Sequence, residues 1–291
     1  MEKPKRQRGD RLDGRWIRDL DSVHTISTYF LPRRCDAEVF MKVDVDVSDL
    51  LAFIHEKNLN NTYKTTLFHA ITMAIAKTIY LRPALNRFIS GRRFYQRNEI
   101  SLSFMAKRQF ADHAAEAMMV LKANEDITLT DVSKKIIGDV KEVRADKSNG
   151  ADKIMDALAK LPRPIMSFVF FVLNRLNYHG KVPQFIMDVD SNFTTVLMTN
   201  LGSIKFGAPY HHLNEWGTNS LFLAIGEIHK QQIVDKEGNV AMRDIVDLGF
   251  TLDERIADGF YFARSVKLFK HILANPALLE QPLKESVDYE Y

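Results

Sequence analysis

The segment Thr251-Leu-Asp-Glu-Arg-Ile-Ala-Asp-Gly259 places four charged residues between an apolar strand pattern and an apolar helix pattern. Taken alone, this segment is typical of a strand-to-helix turn. In such a turn Asp258 caps the following helix and Arg255 neutralises the neighbouring acids. The helix continues from about Asp258 with apolar residues at helical spacing and ends at Asn275, before Pro276.

Strand patterns precede this segment. Residues 39–47 alternate strictly between apolar and polar side chains, which is the period of a half-buried strand. Further strand patterns cover residues 89–94, 100–105, 117–121, 194–199, 221–234 and 240–251, and a turn is predicted at Ser90 and Gly91. Helical patterns cover residues 48–57, 66–82 and 131–144. Strands and helices mix without regular βαβ alternation, so we expect an α/β (α+β) fold with helices packed against a mixed sheet.

An apolar helical insertion is predicted at about residues 150–190. Two helical patterns, 154–161 and 165–176, are interrupted by Pro162-Arg-Pro164. Because an apolar helix is usually part of a core, our preferred interpretation is that the insertion covers one edge of the sheet. The alternatives are a lid on a substrate channel or a surface that touches a membrane or a partner.

Composition predicts one ordinary globular domain. Apolar residues make up 46% of the chain and charged residues 26%, and the formal net charge is +3. We expect a basic N-terminal arm at residues 1–25, a catalytic-type domain at 26–280 and a C-terminal tail at 281–291. The arm is interpreted as solvated and not as a nucleic-acid site. The single cysteine, Cys35, excludes an intrachain disulfide, and without a signal peptide pattern this predicts a cytoplasmic protein.

Several classes of site lack their usual motifs. The sequence has no Gly-rich phosphate loop, no Cys or His pairs at zinc spacing and no G-x-S-x-G elbow, so no metal site is expected. Two adjacent histidines, His211 and His212, lie in a polar loop after a strand pattern. Neighbouring residues on an extended chain point to opposite sides, so we expect at most one of them to face a given pocket.

Residues 253–259 resemble a family signature. They match Asp-His-Arg-x-x-Asp-Gly, which ends the catalytic domains of dihydrolipoyl acyltransferases, and chloramphenicol acetyltransferases share its His-x-x-x-Asp-Gly core. The matching residues are Asp253, Arg255, Asp258 and Gly259. Two further segments, Thr199-Asn-Leu-Gly202 and Leu223-Ala-Ile-Gly226, resemble the family's Ser-Asn-Leu-Gly and the strand after it. The resemblance covers most of the chain, and the insertion is an addition to it.

The resemblance implies a chloramphenicol acetyltransferase-like fold and an acyl-CoA co-substrate. It also implies a homotrimer with active sites between subunits, where coenzyme A and a small-molecule or carrier-bound acceptor enter a channel from opposite ends. Thr199 would donate a hydrogen bond to the tetrahedral oxyanion. Asp258 would shape the site, held by Arg33 or Arg34. The other positions that the resemblance marks as site-shaping are Asn200, Asp253, Arg255 and Gly259.

The departure from the signature is Glu254, which stands where the family has its catalytic histidine. An ordinary carboxyl group has a pKa about four units below that of a thiol, whereas an imidazole is only about two units below it. The substitution could therefore cost about 3 kcal/mol in proton-transfer driving force. Either Glu254 is the general base, or His211 or His212 replaces the missing imidazole. The alternative is an inactive trimer that acts as a binding or assembly scaffold.

Other partners are not expected. No lipoyl-carrying segment precedes the domain in this sequence, which predicts a stand-alone protein and not a complete core subunit of a dehydrogenase complex. Binding of nucleic acid and contact with a membrane are likewise not expected.

Overall fold

The structure is a computed structural model that describes residues 6–107, 116–145, 158–234 and 237–289. Its strands are β1 Gly14–Trp16, β2 Glu38–Asp46, β3 Arg87–Ser90, β4 Arg93–Arg97, β5 Ile100–Lys107, β6 Glu116–Ala123, β7 Val196–Asn200, β8 Leu221–Val234 and β9 Val240–Asp253. Six of them form the main sheet in the order β2-β9-β8-β7-β5-β6, and β1, β4 and β3 form a small second sheet. Strand β7 runs parallel to both of its neighbours, and the other pairs in the main sheet are antiparallel. The predicted mixed sheet is confirmed.

Helices cover one face of the main sheet. The described helices are α1 Ser22–Phe30, α2 Ser48–Leu59, α3 Leu67–Leu81, α4 Leu129–Arg144, α5 Arg163–Tyr178, α6 Gln184–Val189, α7 Gly259–Ala274 and α8 Ala277–Glu280. Helices α2, α3, α4 and α7 contribute to the same hydrophobic core as the inner side chains of the sheet. Successive side chains of β2 point to opposite faces of the sheet. Val43 and Val45 are buried in this core, whereas Asp44 and Asp46 are exposed.

The loop between β7 and β8, residues 201–220, crosses the opposite face of the sheet. Two glycines allow its backbone to lie directly on the strands. A Cβ atom added at Gly226 would lie 2.7 Å from the backbone nitrogen of Ala208, and one added at Gly249 would lie 2.5 Å from the carbonyl oxygen of Pro209. This loop carries both candidate histidines along the sheet towards the end of β9.

The N-terminal segment is packed against the domain. Strand β1 pairs with β4, and Arg11 is buried. The Arg11 guanidinium donates to the carbonyl oxygen of Asn177 and to the hydroxyl of Ser90, each at 2.8 Å. The prediction of a solvated arm over residues 1–25 is therefore wrong for this part of the segment. Residues 1–5 lie outside the described residues.

The C-terminal residues also contact the core. Leu283 is buried, and the ammonium group of the buried Lys77 donates to the carbonyl oxygen of Pro282 at 2.9 Å. Burial lowers the pKa of Lys77. The described part of the predicted tail, residues 281–289, thus completes the packing around α3.

The insertion does form a helix, but the helix is not buried. No residue of α5 is buried, although most of its side chains are apolar. An edge-covering core helix would bury one face, so the preferred interpretation of the insertion is wrong. Half of the first predicted helix, 154–161, lies outside the described residues. Within the described parts of the chain, no helix is long and apolar enough to cross a membrane.

Candidate active site

A buried ion pair fixes the conformation of the motif turn. Strand β9 ends at Asp253, and residues 254–256 form a short 3-10 turn. The Asp253 carboxylate accepts two hydrogen bonds from the Arg255 guanidinium, at 2.8 and 2.7 Å, and both side chains are buried. Arg255 also donates to the carbonyl oxygen of Leu31 at 2.7 Å. Burial alone would lower the pKa of Arg255. The hydrogen bonds that Arg255 donates to the Asp253 carboxylate outweigh this effect, so the pKa is raised.

Glu254 points away from this ion pair. Its side chain is exposed, and its backbone N–H donates to the carbonyl oxygen of Ala37 at 2.9 Å. The side chains on either side of it point inward to their mutual ion pair, so the Glu254 side chain points outward. Its carboxylate makes no hydrogen bond to the part of the chain that the structure describes. It is therefore free to contact a substrate or a second chain.

Asp258 caps the helix that follows. Its carboxylate accepts a hydrogen bond from the backbone N–H of Tyr261 at 2.7 Å, which satisfies one free donor in the first turn of α7. Gly259 is the first residue of that helix and is exposed. The capping interpretation of Asp258 is thus confirmed, and this role leaves its second carboxylate oxygen exposed.

The two candidate arginines make other contacts. Arg33 forms an exposed ion pair with Asp36 at 2.9 Å. Arg34 is buried and donates to the carbonyl oxygens of Asn214 and Gly217. The expected pairing of Arg33 or Arg34 with Asp258 is therefore not formed among the described residues of a single chain.

Arg34 instead anchors the loop that carries the histidines. Its two carbonyl acceptors lie in that loop, and burial lowers the pKa of Arg34. Two acids that sequence reasoning missed act in the same way, because Glu38 accepts from the backbone N–H of Leu213 and Glu215 accepts from that of Cys35. These contacts span about 180 residues of chain, so no local sequence signal identifies them.

Thr199 lies near the end of β7 on the loop-covered face of the sheet. It is half-buried, and its hydroxyl makes no hydrogen bond to described residues, so the hydroxyl can donate to a ligand. The turn after it is held against β8, where the backbone N–H of Leu201 donates to the carbonyl oxygen of Ile225 at 2.9 Å. Asn200 contributes its backbone carbonyl to this turn by accepting from the Ser203 hydroxyl at 2.8 Å.

Thr199 and Glu254 are far apart within one chain. Thr199 pairs with Ala224, which pairs with Gly249 on β9. Glu254 follows Gly249 by five residues, which corresponds to about 16 Å along an extended strand. A hydrogen bond requires about 3 Å. One chain therefore does not bring both groups to the same reacting atom.

His211 and His212 stack on each other. Their ring centroids are 4.5 Å apart, and the His211 ring also lies 4.2 Å from that of Phe222 with nearly parallel planes. The expectation that adjacent histidines point to opposite sides is wrong here, because the His212 ring stacks on the His211 ring. Nδ1 of His211 lies 2.8 Å from the carbonyl oxygen of His212. Since a carbonyl only accepts, Nδ1 carries the proton and Nε2 of a neutral ring is left as an acceptor.

The histidines sit close to the end of β9. The hydroxyl of Thr251 donates to the carbonyl oxygen of His211. Thr251 precedes Glu254 by three residues, or about 10 Å of extended chain. The structure thus brings the histidines nearer than Thr199 to Glu254. In the described residues, no group of three or more His, Cys, Asp or Glu side chains is arranged to hold a metal ion.

Part of the sequence that forms this site is similar to a known protein family. Residues 189–280, which include β7 and the motif turn, match the family described as 2-oxoacid dehydrogenases acyltransferase (catalytic domain). The chain resembles these acyltransferases, as its motifs predicted. The lipoamide acyltransferase component of the branched-chain alpha-keto acid dehydrogenase complex of Bacillus subtilis (strain 168) is 22% identical over 237 residues. That match covers 79% of this chain and 45% of the relative, so this chain spans less than half of the relative's length.

Solved acyltransferase structures share the fold. A probable dihydrolipoamide acetyltransferase from Listeria monocytogenes 4b F2365 has a TM-score of 0.58 and 16% identity, with 94% of this chain and 98% of that one covered. The dihydrolipoamide acetyltransferase of Azotobacter vinelandii has a TM-score of 0.60 and 14% identity, with 90% and 93% covered. Chloramphenicol acetyltransferase has a TM-score of 0.52 and 11% identity, with 89% and 99% covered. The acyltransferase fold predicted from the motifs is confirmed.

Proposed function

We propose that this protein is a coenzyme A-dependent acyltransferase that transfers an acyl group to a thiol or hydroxyl acceptor. The observation that carries the proposal is the motif turn at residues 253–259, which ends a central strand and presents Glu254 outward in an acyltransferase fold. A cytoplasmic location belongs to the same proposal. It is supported by the single cysteine, Cys35, which is free and exposed.

The reaction requires a base and an oxyanion donor. The base removes the proton of the acceptor thiol or hydroxyl, and the acceptor sulfur or oxygen then attacks the thioester carbonyl of the acyl-CoA. The Thr199 hydroxyl donates a hydrogen bond to the resulting oxyanion. When the tetrahedral intermediate collapses, the bond to the coenzyme A sulfur breaks, and that sulfur takes the proton back from the base.

The two groups come from different chains in this proposal. Because Thr199 and Glu254 are about 16 Å apart along the sheet of one chain, a shared site needs a second copy. A homotrimer in which Glu254 of one subunit faces Thr199 of the next satisfies this requirement.

A protruding ribbon supports self-association. Strand β2 ends at Asp46 opposite Ile245, whereas β8 and β9 stay paired as far as Val234 and Val240. The ribbon exposes five large apolar side chains, Ile228, Ile233, Val234, Val240 and Met242. An isolated two-stranded hairpin is only marginally stable, so we expect a second chain to cover this ribbon.

Two groups compete for the role of base. Glu254 occupies the position of the family's histidine, and its carboxylate is free. His211 is the alternative, because its Nδ1–H bonds to a carbonyl and leaves Nε2 as a proton acceptor. His212 shares the stack and is exposed as well.

The second candidate function is a non-catalytic scaffold that keeps the fold and binds coenzyme A. It is favoured by the fact that no described residue orients the Glu254 carboxylate by a hydrogen bond. A general base acts best when a neighbouring group holds it in position.

The test is a thiol-release assay with acetyl-CoA and a panel of thiol and hydroxyl acceptors. If Glu254 is the base, Glu254→Gln lowers turnover by about 10²–10⁴-fold. Glu227→Gln, a matched change at another exposed glutamate, leaves turnover unchanged. Loss in His211→Asn with retention in Glu254→Gln assigns the base to the histidine. Coenzyme A binding without turnover, together with turnover gained in Glu254→His, would establish the scaffold.

A further inference from the structure

Helix α5 is apolar over most of its circumference but lies at the surface. Its half-buried side includes Met166, Val169, Leu173 and Leu176, and its exposed side includes Ile165, Phe168, Phe171 and Val172. Phe168 and Phe171 are 66% and 67% exposed. A surface helix normally has one apolar side, which faces the core, so the second, exposed apolar side of α5 lacks the cover that its composition requires.

Hydrogen bonds hold the C-terminal end of α5 to the domain. Asn177 accepts hydrogen bonds at its carbonyl oxygen from Arg11 and Ser90, each at 2.8 Å. Leu176 packs against a small buried cluster, and the Phe170 ring contacts Trp216. The exposed residues Ile165 and Phe168 lie in the other half, towards the N-terminus of the helix.

The stretch of sequence that contains α5 carries only positive charge. Residues 157–187 contain no aspartate or glutamate but four cationic residues, Lys160, Arg163, Arg175 and Lys181. Arg163 and Arg175 lie in the first and last turns of α5, so cations are present near both ends of its exposed apolar stripe. The N-terminal segment packs beside the turn after α5, where Gly180 lies against the Arg11 side chain.

We infer that α5 is an interfacial helix that docks this protein on an anionic lipid surface. The exposed phenylalanines enter the boundary between headgroups and acyl chains, and the lysines and arginines contact lipid phosphates. Charge favours this occupant over a two-fold pairing of α5 with itself, because that pairing would bring its cations together. Peripheral docking needs no membrane-spanning helix.

The full-length chain is tested by co-sedimentation with vesicles of phosphatidylcholine alone and of phosphatidylcholine with phosphatidylglycerol. Binding is expected to the anionic vesicles at low salt and to weaken at high salt. The double variant Phe168→Ser/Phe171→Ser lowers binding by at least about tenfold. The matched control Phe30→Ser/Leu59→Ser removes two other exposed apolar side chains and retains binding.

Hydrogen exchange of the unmodified protein gives a readout that does not depend on a variant folding. Amides of residues 163–172 gain protection on anionic vesicles if the inference is right. No sedimentation with anionic vesicles, or equal binding by the Phe168→Ser/Phe171→Ser variant, overturns it. So does a change of oligomeric state in that variant by light scattering, which would show that a second copy covers α5. An acidic protein that protects α5 when vesicles do not would overturn it too.

Discussion

Alternate side chains at the motif turn face opposite directions. Asp253 and Arg255 are buried together, and Glu254 between them is exposed. Each buried charge offsets the cost of burying the other, so the inward positions are constrained for stability. The outward position carries no such constraint. A change of side chain at position 254 is therefore expected to leave the fold of the turn intact while it changes the chemistry that the turn presents.

His69 gives a pH prediction at the residue scale. It is buried in the first turn of α3, and its Nδ1 accepts from the backbone N–H of Thr66 at 3.3 Å. Burial lowers the pKa of His69 to about 4, whereas an unfolded histidine has a pKa near 6.5. As pH falls from about 6.5 to about 4, the unfolded chain binds a proton that the folded chain does not. The folded state therefore loses roughly 3 kcal/mol over that range.

The measurement is urea unfolding at several pH values for the parent and His69→Gln. Glutamine at this position keeps a side-chain oxygen that can accept the Thr66 N–H but does not titrate. The variant should lose less stability than the parent between pH 6.5 and 4. Equal pH dependence in the two proteins would show that His69 does not contribute.

At the element scale, the turn after β7 depends on a close approach between two backbones. A Cβ atom added at Gly202 would lie 2.4 Å from the carbonyl oxygen of Gly226 in β8. The hydrogen bond from the Leu201 N–H to the Ile225 carbonyl oxygen, at 2.9 Å, holds the two backbones together. Gly202→Ala is therefore expected to destabilise the protein by about 1–3 kcal/mol. Gly207→Ala is the control, because no atom lies within 4 Å of an added Cβ there. Denaturant unfolding compares them, and equal midpoints would contradict the prediction.

Most elements were predictable because local patterns report burial. The strand pattern at 221–234 coincides with β8, and the pattern at 39–47 is shifted by one residue from β2. The turn predicted at Ser90 and Gly91 lies within one residue of the hairpin turn at Gly91 and Arg92 that joins β3 to β4, although the strand pattern at 89–94 runs across that turn. For α5 the pattern predicted the helix correctly but not its surroundings. Hydrophobicity indicates that a helix face must be buried, but it does not indicate which part of this chain, or which other molecule, buries it.

At the scale of the whole molecule, the proposed site predicts complementation between chains. Thr199→Ala and Glu254→Gln should each be nearly inactive alone. When the two variants are unfolded, mixed equally and refolded, about a quarter of the sites in a cyclic assembly pair an intact Thr199 with an intact Glu254. Acyl transfer by the mixture is therefore expected to recover to about a quarter of the parent rate.

The control for complementation is each variant refolded alone, which should regain nothing. If the mixture stays inactive while native mass spectrometry shows mixed oligomers, both groups act within one chain. The outcome therefore separates the proposed intersubunit site from a site within one subunit.

The sequence by itself determined most of the strands, most of the helices, the motif turn and the resemblance to acyltransferases. It could do so because alternation, helical spacing and capping are properties of neighbouring residues. Only the tertiary structure decided that Arg34 anchors the histidine loop, that Arg11 is buried and that α5 is uncovered. It also showed that Thr199 and Glu254 lie about 16 Å apart along the sheet of one chain. These facts depend on contacts between residues far apart in the chain, and such contacts leave no periodic signal in the sequence.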